Sequence, residues 1–516
     1  MSGALIVRTT SGLVRGTLHA GVRTFASIPY AAPVTGPARF AAPAPAPRWD
    51  GVREATVPGG TAPALARSGF GGLDLSPVLG PGWIPDPGYL TVTVTAPENP
   101  SGGLPVLVFV HGGGLISGTG QAPLYDGSSF ARDGIVTVTL NYRLGIAGWL
   151  DVPGAPANRG LLDVIAALRW VAENAAAFGG APDKVTVAGQ SAGAMIVAAL
   201  LANPDARRER LFSRAISQSG SGTAAISEEQ AALTTRAVAE ALNTRATPAD
   251  LGAIDDRWLA KALGTIGPVV VIPDGPLDTS LGESPVKCVI DGRSLDRQPA
   301  EAVHDGYGAD VDLLIGTNRE EANLYTVPSG AAMTETQLLA LAERRLTNPR
   351  ERLTAYRTDK PAAHPAELAS RLITDTFAQG SRLLADAHAR HRRARTFAYE
   401  FAWRSTAFGG ALGACHCVEL PFVFHHTDLP ALYGDTALLG PHRPPADLAD
   451  RTHAAWTAFI RDGAPGWTPY DLAARATAVI DERWSMISTV GHGDRISNAS
   501  GSHLCTSRAT ARRPAG

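Results

Sequence analysis

The chain has 516 residues, enough to bury a large core, and its 46 Lys plus Arg nearly balance 48 Asp plus Glu, for a formal net charge of −2. No basic stripe with interleaved aromatics accompanies that balance, so nucleic acid is not an expected partner, and no run approaches the ~20 apolar residues of a membrane span, so neither is a membrane. Four cysteines, Cys288, Cys415, Cys417 and Cys505, are too few and too scattered for a disulfide framework in a chain of this size and read as free thiols.

The N-terminal run Leu5-Ile6-Val7 is too short for a signal peptide and has no basic segment before it, which points to a soluble, cytoplasmic protein. Residues 4 to 18 alternate around Thr10-Ser11-Gly12 as a hairpin does. The stretch from Phe25 to Gly51, rich in Pro and aromatic anchors, reads as a loop packed flat on the core. Residues 90–95 alternate strictly, the pattern of a half-buried strand. Residues 104–110 are continuously apolar, as in a strand covered on both faces. That run ends in His111-Gly112-Gly113-Gly114, where three glycines free the backbone to turn N–H groups toward a ligand. A buried strand follows over 134–140, then a helix over 160–177 with Leu161, Leu162, Ile165, Leu168, Trp170 and Val171 at helical spacing. Strand, crossover helix and strand make a βαβ unit, so the sheet is parallel.

The next strand, Val185-Thr186-Val187-Ala188, runs into Gly189-Gln190-Ser191-Ala192-Gly193 and then into unbroken helix formers. Gly-x-Ser-x-Gly between a strand and a helix is the nucleophile elbow. The serine sits in a strained backbone conformation at the tip of a sharp turn, and the two glycines remove the Cβ atoms that would collide there. The turn also aims the Ala192 N–H toward an oxyanion forming on a carbonyl attacked by Ser191.

Two blocks of Ala, Leu, Arg and Glu at helical spacing, at about 222–285 and 330–392, read as helical insertions that cap the site. Between them a buried strand over 311–318 leads directly to Arg319-Glu320-Glu321. Residues 396–403 form the last clear strand, and a loop then delivers Cys415-His416-Cys417-Val418-Glu419. Residues 1–490 are read as one α/β domain, and 491–516 as a disordered tail.

Ser191, Gly112 to Gly114 and the Glu320/Glu321 pair each fall just past the C-terminal end of an expected parallel strand, the edge along which open α/β sheets bind ligands. Ester hydrolysis by serine needs a base, a group to orient it and donors for the oxyanion, in the chain order Ser, acid, His. Ten of the 13 histidines follow Glu321, so order alone does not choose the base. His416 stands in a loop after the last expected strand, whereas His388, His391 and His453 fall in helical patterns. The Cys-His-Cys cluster is not read as a metal site, because adjacent residues rarely point at one ion and no second ligand pair has the spacing. The residues themselves leave Glu320 and Glu321 both open as the acid.

Together these stretches, with Phe25-Ala-Ser-Ile-Pro-Tyr-Ala31, Arg39-Phe40, Trp49-Asp50-Gly51, Asn141-Tyr-Arg-Leu-Gly145, Asn158-Arg-Gly-Leu-Leu-Asp163, Phe178-Gly-Gly180, Gln218-Ser-Gly220, Gly316-Thr-Asn-Arg-Glu-Glu321 and His416-Cys-Val-Glu-Leu-Pro-Phe-Val-Phe424, resemble the type-B carboxylesterases from about residue 7 to about 485. This is the family of para-nitrobenzyl esterases and cholinesterases, and the chain most resembles its actinobacterial members. The resemblance implies an α/β-hydrolase fold, with a mostly parallel central sheet, helices on both faces and inserted helical cap segments. It also implies Ser191 as nucleophile, His416 as base, Glu321 as the orienting acid, and the N–H groups of Gly113, Gly114 and Ala192 as the oxyanion hole. No cofactor and no metal are expected. The expected partner is a small-molecule ester, and the chain is expected to be a monomer or weak homo-oligomer.

Three positions depart from the family pattern. Pro87-Gly88 replace an acidic pair of which one member usually pairs with the Arg of Asn-Tyr-Arg-Leu-Gly, leaving Asp86 as the nearest replacement partner for Arg143. Ala322 follows the acid where Gly is common. Leu115 follows the glycine triplet where an aromatic is frequent, and so bears on substrate binding. The expected activity is hydrolysis of short to medium acyl and aromatic esters. Carbamate, amide or lactone hydrolysis on the same site is one alternative, and a catalytically silent binding module of the same family is another.

Overall fold

In the computed structural model, which describes residues 5–266, 284–330, 332–346 and 348–488, the apolar run Leu104–Val110 is a strand that feeds two cores at once. Val106, Val108 and Val110 enter one, and Leu107 and Phe109 enter the other. Alternation of side chains across the sheet explains why such a strand has no polar face. The same division recurs in neighbouring strands, with Val185 and Val187 on one side and Ala188 on the other.

The main sheet has eleven strands. In chain order they are β1 (Thr17–His19), β2 (Val22–Pro29), β3 (Thr91–Pro97), β4 (Leu104–Val110), β5 (Val136–Leu140), β6 (Gly180–Gln190), β7 (Arg214–Gln218), β8 (Asp312–Asn318), β9 (Thr396–Phe401), β10 (Ala476–Ile480) and β11 (Ser485–Ser488). Across the sheet they run β11-β10-β9-β8-β7-β6-β4-β5-β3-β2-β1. Every pairing from β10 to β5 is parallel, and the antiparallel strands lie at the two edges. The hairpin expected at the N-terminus is present as Ile6–Arg8 against Leu13–Arg15. Helix Ala192–Ala202 has almost every residue buried, because it is sandwiched between the sheet and the helices Arg159–Asn174 and Pro299–His304.

Three expectations are corrected. Phe25 to Pro29 belong to a strand rather than a loop. A register shift between Phe25 and Ile28, with Ser27 at φ 55°, breaks the alternation that would have marked it. Strand β3 is covered on both faces rather than half-buried: Val92, Val94 and Ala96 enter a core while Thr91 and Thr95 are sealed on the opposite side, where helix Ser128–Arg132 packs. Nor is β9 the last strand, since the short, Ala-rich β10 extends the parallel array after it. His416 therefore lies in the long crossover between β9 and β10.

The insertion at 330–392 contains helices Glu335–Glu343, Pro349–Asp359 and Pro365–Ala389, which share a small core of their own around Leu338, Tyr356 and Leu372. The described helices of the other insertion, Glu228–Ala241, Pro248–Gly252 and Asp256–Ile266, pack on Gly36–Phe40, Gly145–Trp149 and one another. The expected tail and Cys505 lie outside the described residues. No described helix is long and apolar enough to cross a membrane.

Candidate active site

Ser191 sits between β6 and helix Ala192–Ala202 at φ 58°, ψ −123°, a conformation that L-residues rarely adopt. The strain is held by backbone on both sides, because the Ser191 N–H donates to the Gln218 carbonyl at 2.9 Å and the Met195 N–H donates to the Ser191 carbonyl at 3.0 Å. A Cβ on Gly189 would lie 2.4 Å from the Gly193 carbonyl, and one on Gly193 would lie 2.0 Å from the Val110 oxygen. Neither neighbour can give way, so both glycines are required for the turn to close.

The glycine loop after β4 is built by a similar constraint. Gly113 and Gly114 have φ of 104° and 66°, and the Gly113 carbonyl accepts from the Ile116 and Ser117 N–H groups and from Ser117 Oγ. The loop's base is set by His111, which stacks on Tyr142 with ring centroids 4.5 Å apart and whose Nδ1–H donates to the Gly112 carbonyl at 2.7 Å. Burial lowers the His111 pKa to about 4, so the ring is neutral at ordinary pH. Leu115 follows at φ 64°, with its carbonyl fixed by the Gly145 N–H at 2.8 Å.

Glu321, at the end of β8, is fully buried. One carboxylate oxygen accepts from the Asn318 N–H at 2.7 Å, and the other meets His416 Nδ1 at 2.6 Å. A carboxylate only accepts, so Nδ1 carries the proton and Nε2 is left as the basic nitrogen. Backbone ties bring the two residues together: the His416 N–H donates to the Glu321 carbonyl at 3.1 Å. Phe377, from helix Pro365–Ala389, covers the imidazole with ring centroids 5.0 Å apart. Glu320 points away, bonding Arg404 and accepting from the Ala414 N–H at 2.9 Å. Gly113, Gly114, Leu115, Ser191, Ala192 and His416 line one pocket, whose remaining wall is mostly apolar and includes Leu75, Val78, Leu79, Met195 and Leu324. Glu321 lies behind His416.

Comparison with known proteins identifies the family. The profile of the carboxylesterase family matches residues 3–489. The chain belongs to the carboxylesterase family. It is 35% identical over 496 residues to a para-nitrobenzyl esterase of Bacillus subtilis, covering 92% of this chain and 94% of that protein. It is also 35% identical over 475 residues to a phenmedipham hydrolase of Pseudarthrobacter oxydans, covering 89% and 90%. A solved structure of a PNB esterase superposes with a TM-score of 0.81 at 32% identity, covering 96% of this chain and 99% of that one. The protein is a carboxylic ester hydrolase with the α/β-hydrolase fold.

In this carboxylesterase the expected partner of Arg143 is corrected. Asp86 accepts from its own Gly88 N–H at 2.7 Å, closing an exposed local turn. Arg143 instead binds Asp163, on helix Arg159–Asn174, through Nε at 2.8 Å and a terminal nitrogen at 2.6 Å, and donates to the carbonyls of Arg39 and Ala41. Burial alone would lower the pKa of this guanidinium, but the charge and hydrogen bonds of Asp163 outweigh it and the net shift is upward. Nearness to the replaced acidic pair at Pro87-Gly88 misled, because the partner lies on a packed helix twenty residues beyond Arg143.

Two residues around the esterase site were not singled out from the sequence. Gln190 places its Nε2 3.2 Å from His416 Nε2. Glu419, fully buried, accepts from Asn318 at 2.6 Å and from Gln218 at 3.2 Å. Burial, and then the charge of Glu321, push Glu419 up to about 7. Its signal was its place three residues after His416, on the same loop and turn. Among the described residues, no three His, Cys, Asp or Glu side chains are grouped to hold a metal ion.

Proposed function

We propose that Ser191, His416 and Glu321 form the catalytic triad and that the enzyme hydrolyses short to medium acyl and aromatic esters. The observation that carries this reading is the 2.6 Å bond from His416 Nδ1 to the sealed carboxylate of Glu321, in a ring that shares its pocket with the strained Ser191. His416 Nε2 takes the Ser191 proton as Oγ attacks the ester carbonyl, Glu321 stabilises the imidazolium, and the N–H groups of Gly113, Gly114 and Ala192 receive the oxyanion. The proton then passes to the departing alcohol, and water repeats the sequence on the acyl-enzyme.

The substrate range is read from a mostly apolar pocket, in which Gly112 to Gly114 leave room beside the oxyanion and Leu115 stands in place of an aromatic wall. Each methylene that fits adds only ~1 kcal/mol of transition-state binding, so selectivity by chain length is gradual until the pocket ends. The test is Ser191→Ala with a panel of nitrophenyl and aromatic esters, to which phenmedipham is added because a relative bears the name of a hydrolase of it. The expected loss is at least ~10³-fold in kcat with an unchanged unfolding midpoint. More than a tenth of wild-type kcat in the variant, or rates rising steadily to long-chain acyl groups, would overturn it.

A further inference from the structure

Gln190 closes β6 immediately before Ser191 and is 1% exposed. Its amide is oriented by two different neighbours. The oxygen faces Gly112, where a Cβ would come within 2.9 Å of it, and the nitrogen faces His416 Nε2 at 3.2 Å and the thiol of Cys417. Since Nδ1–H of the imidazole is committed to Glu321, Nε2 offers a lone pair, and the amide N–H is the matching donor.

We propose that Gln190 is a positioning residue: by donating to His416 Nε2 it favours the neutral, proton-accepting ring and keeps the esterase active at lower pH than the surrounding carboxylates would otherwise allow. This rests on His416 being the base. Protonation of Nε2 would set N–H against N–H, so the imidazolium forms only when the amide lets go or turns its oxygen inward. The groups around the ring otherwise pull the other way. Glu321 at Nδ1 and Glu419 on the same loop both favour imidazolium, and Glu419 loses its charge only as pH falls below about 7. The remaining neighbours on this side are neutral or already paired. The thiols of Cys415 and Cys417 and the Tyr399 hydroxyl are pushed well up, in each case chiefly by burial. Tyr325 lies with its ring 5.8 Å from His416, helix Pro365–Ala389 presents Phe377, and Glu320 is taken by Arg404. The wall of the same pocket also carries two cationic residues, Arg67 and Lys287.

The test is the pH profile of kcat/KM for wild type, Gln190→Met and Gln190→Glu, with unfolding midpoints measured alongside. Gln190→Met keeps the shape and removes the donor, and its acid limb moves up by about half a pH unit. Gln190→Glu sets a carboxylate against Nε2, and its limb moves up by about one unit or more, with activity recovering at alkaline pH. KM stays near wild type, because the amide acts on the base rather than on the substrate. Gln190→Met carries the test if Gln190→Glu fails to fold. An acid limb that stays in place, or one that moves down in Gln190→Met because the amide oxygen faced the ring, overturns the inference. Either result with an inactive Ser191→Ala leaves the triad standing, whereas an active Ser191→Ala removes the triad and this inference together.

Discussion

Asp163 and Glu321 are both sealed from solvent, and each is bonded at 2.6 Å to a nitrogen of a basic side chain. Asp163 grips Arg143 with both oxygens, and the remaining guanidinium donors go to backbone carbonyls. Glu321 gives one oxygen to the Asn318 backbone and one to His416, whose ring borders the pocket that Ser191 also lines. The difference lies in the partner. A guanidinium never yields its proton, so Arg143–Asp163 can only hold the Arg39–Ala41 chain to helix Arg159–Asn174. An imidazole exchanges its proton near neutral pH, so in the proposed triad the same kind of buried contact serves to move one. A second titrating carboxylate, Glu419, stands beside the latter pair.

Breaking each pair in turn separates the two roles. Glu321→Gln is expected to lower kcat by about 10²- to 10⁴-fold, through loss of the imidazolium's partner, with the fold kept. A loss below tenfold, or a larger one in Glu320→Gln, would remove Glu321 from the mechanism. Asp163→Asn is expected to cost about 3 kcal/mol or more in unfolding free energy, because a buried guanidinium loses its counter-charge, while kcat of the folded fraction stays within a few-fold. Equal unfolding midpoints would show that the carbonyls alone hold Arg143.

Glu419→Gln sharpens the comparison through pH. Its raised pKa means that the fold favours the protonated acid, so its contribution is full below the ordinary value of 4.5 and is lost as pH rises through about 7. The glutamine variant lacks that loss, so its Tm rises relative to wild type across this window; a constant Tm difference would contradict the assignment. The smallest effects are expected at Asp86→Asn, which touches only an exposed turn and should stay within ~0.5 kcal/mol of wild type, and at Glu320→Gln, which should leave kcat within a few-fold. A large destabilisation by Asp86→Asn would restore it as a structural partner.

Local sterics made the elbow at Ser191 legible in the sequence, because Gly189, Gly193 and the strand and helix around them are all set within a few residues of it. The glycine loop was legible for the same reason, as were the buried strands whose apolar runs have no polar face. Residue pattern alone left Glu320 and Glu321 open. Only the folded chain gives Glu320 to Arg404 and turns Glu321 toward His416, because the choice depends on a loop 95 residues further on. Strand β2 was hidden by a shift in its own register, and β10 by a short, Ala-rich sequence with little contrast. The partners that long-range packing brings together, Arg143 with Asp163 and Gln190 with His416, were beyond reach, since the latter are 226 residues apart and nothing local to either marks the other. The sequence by itself determined the elbow, the family and the candidate nucleophile and base. Tertiary structure decided which buried charges meet, because pairing depends on which elements pack together and not on how near they lie along the chain.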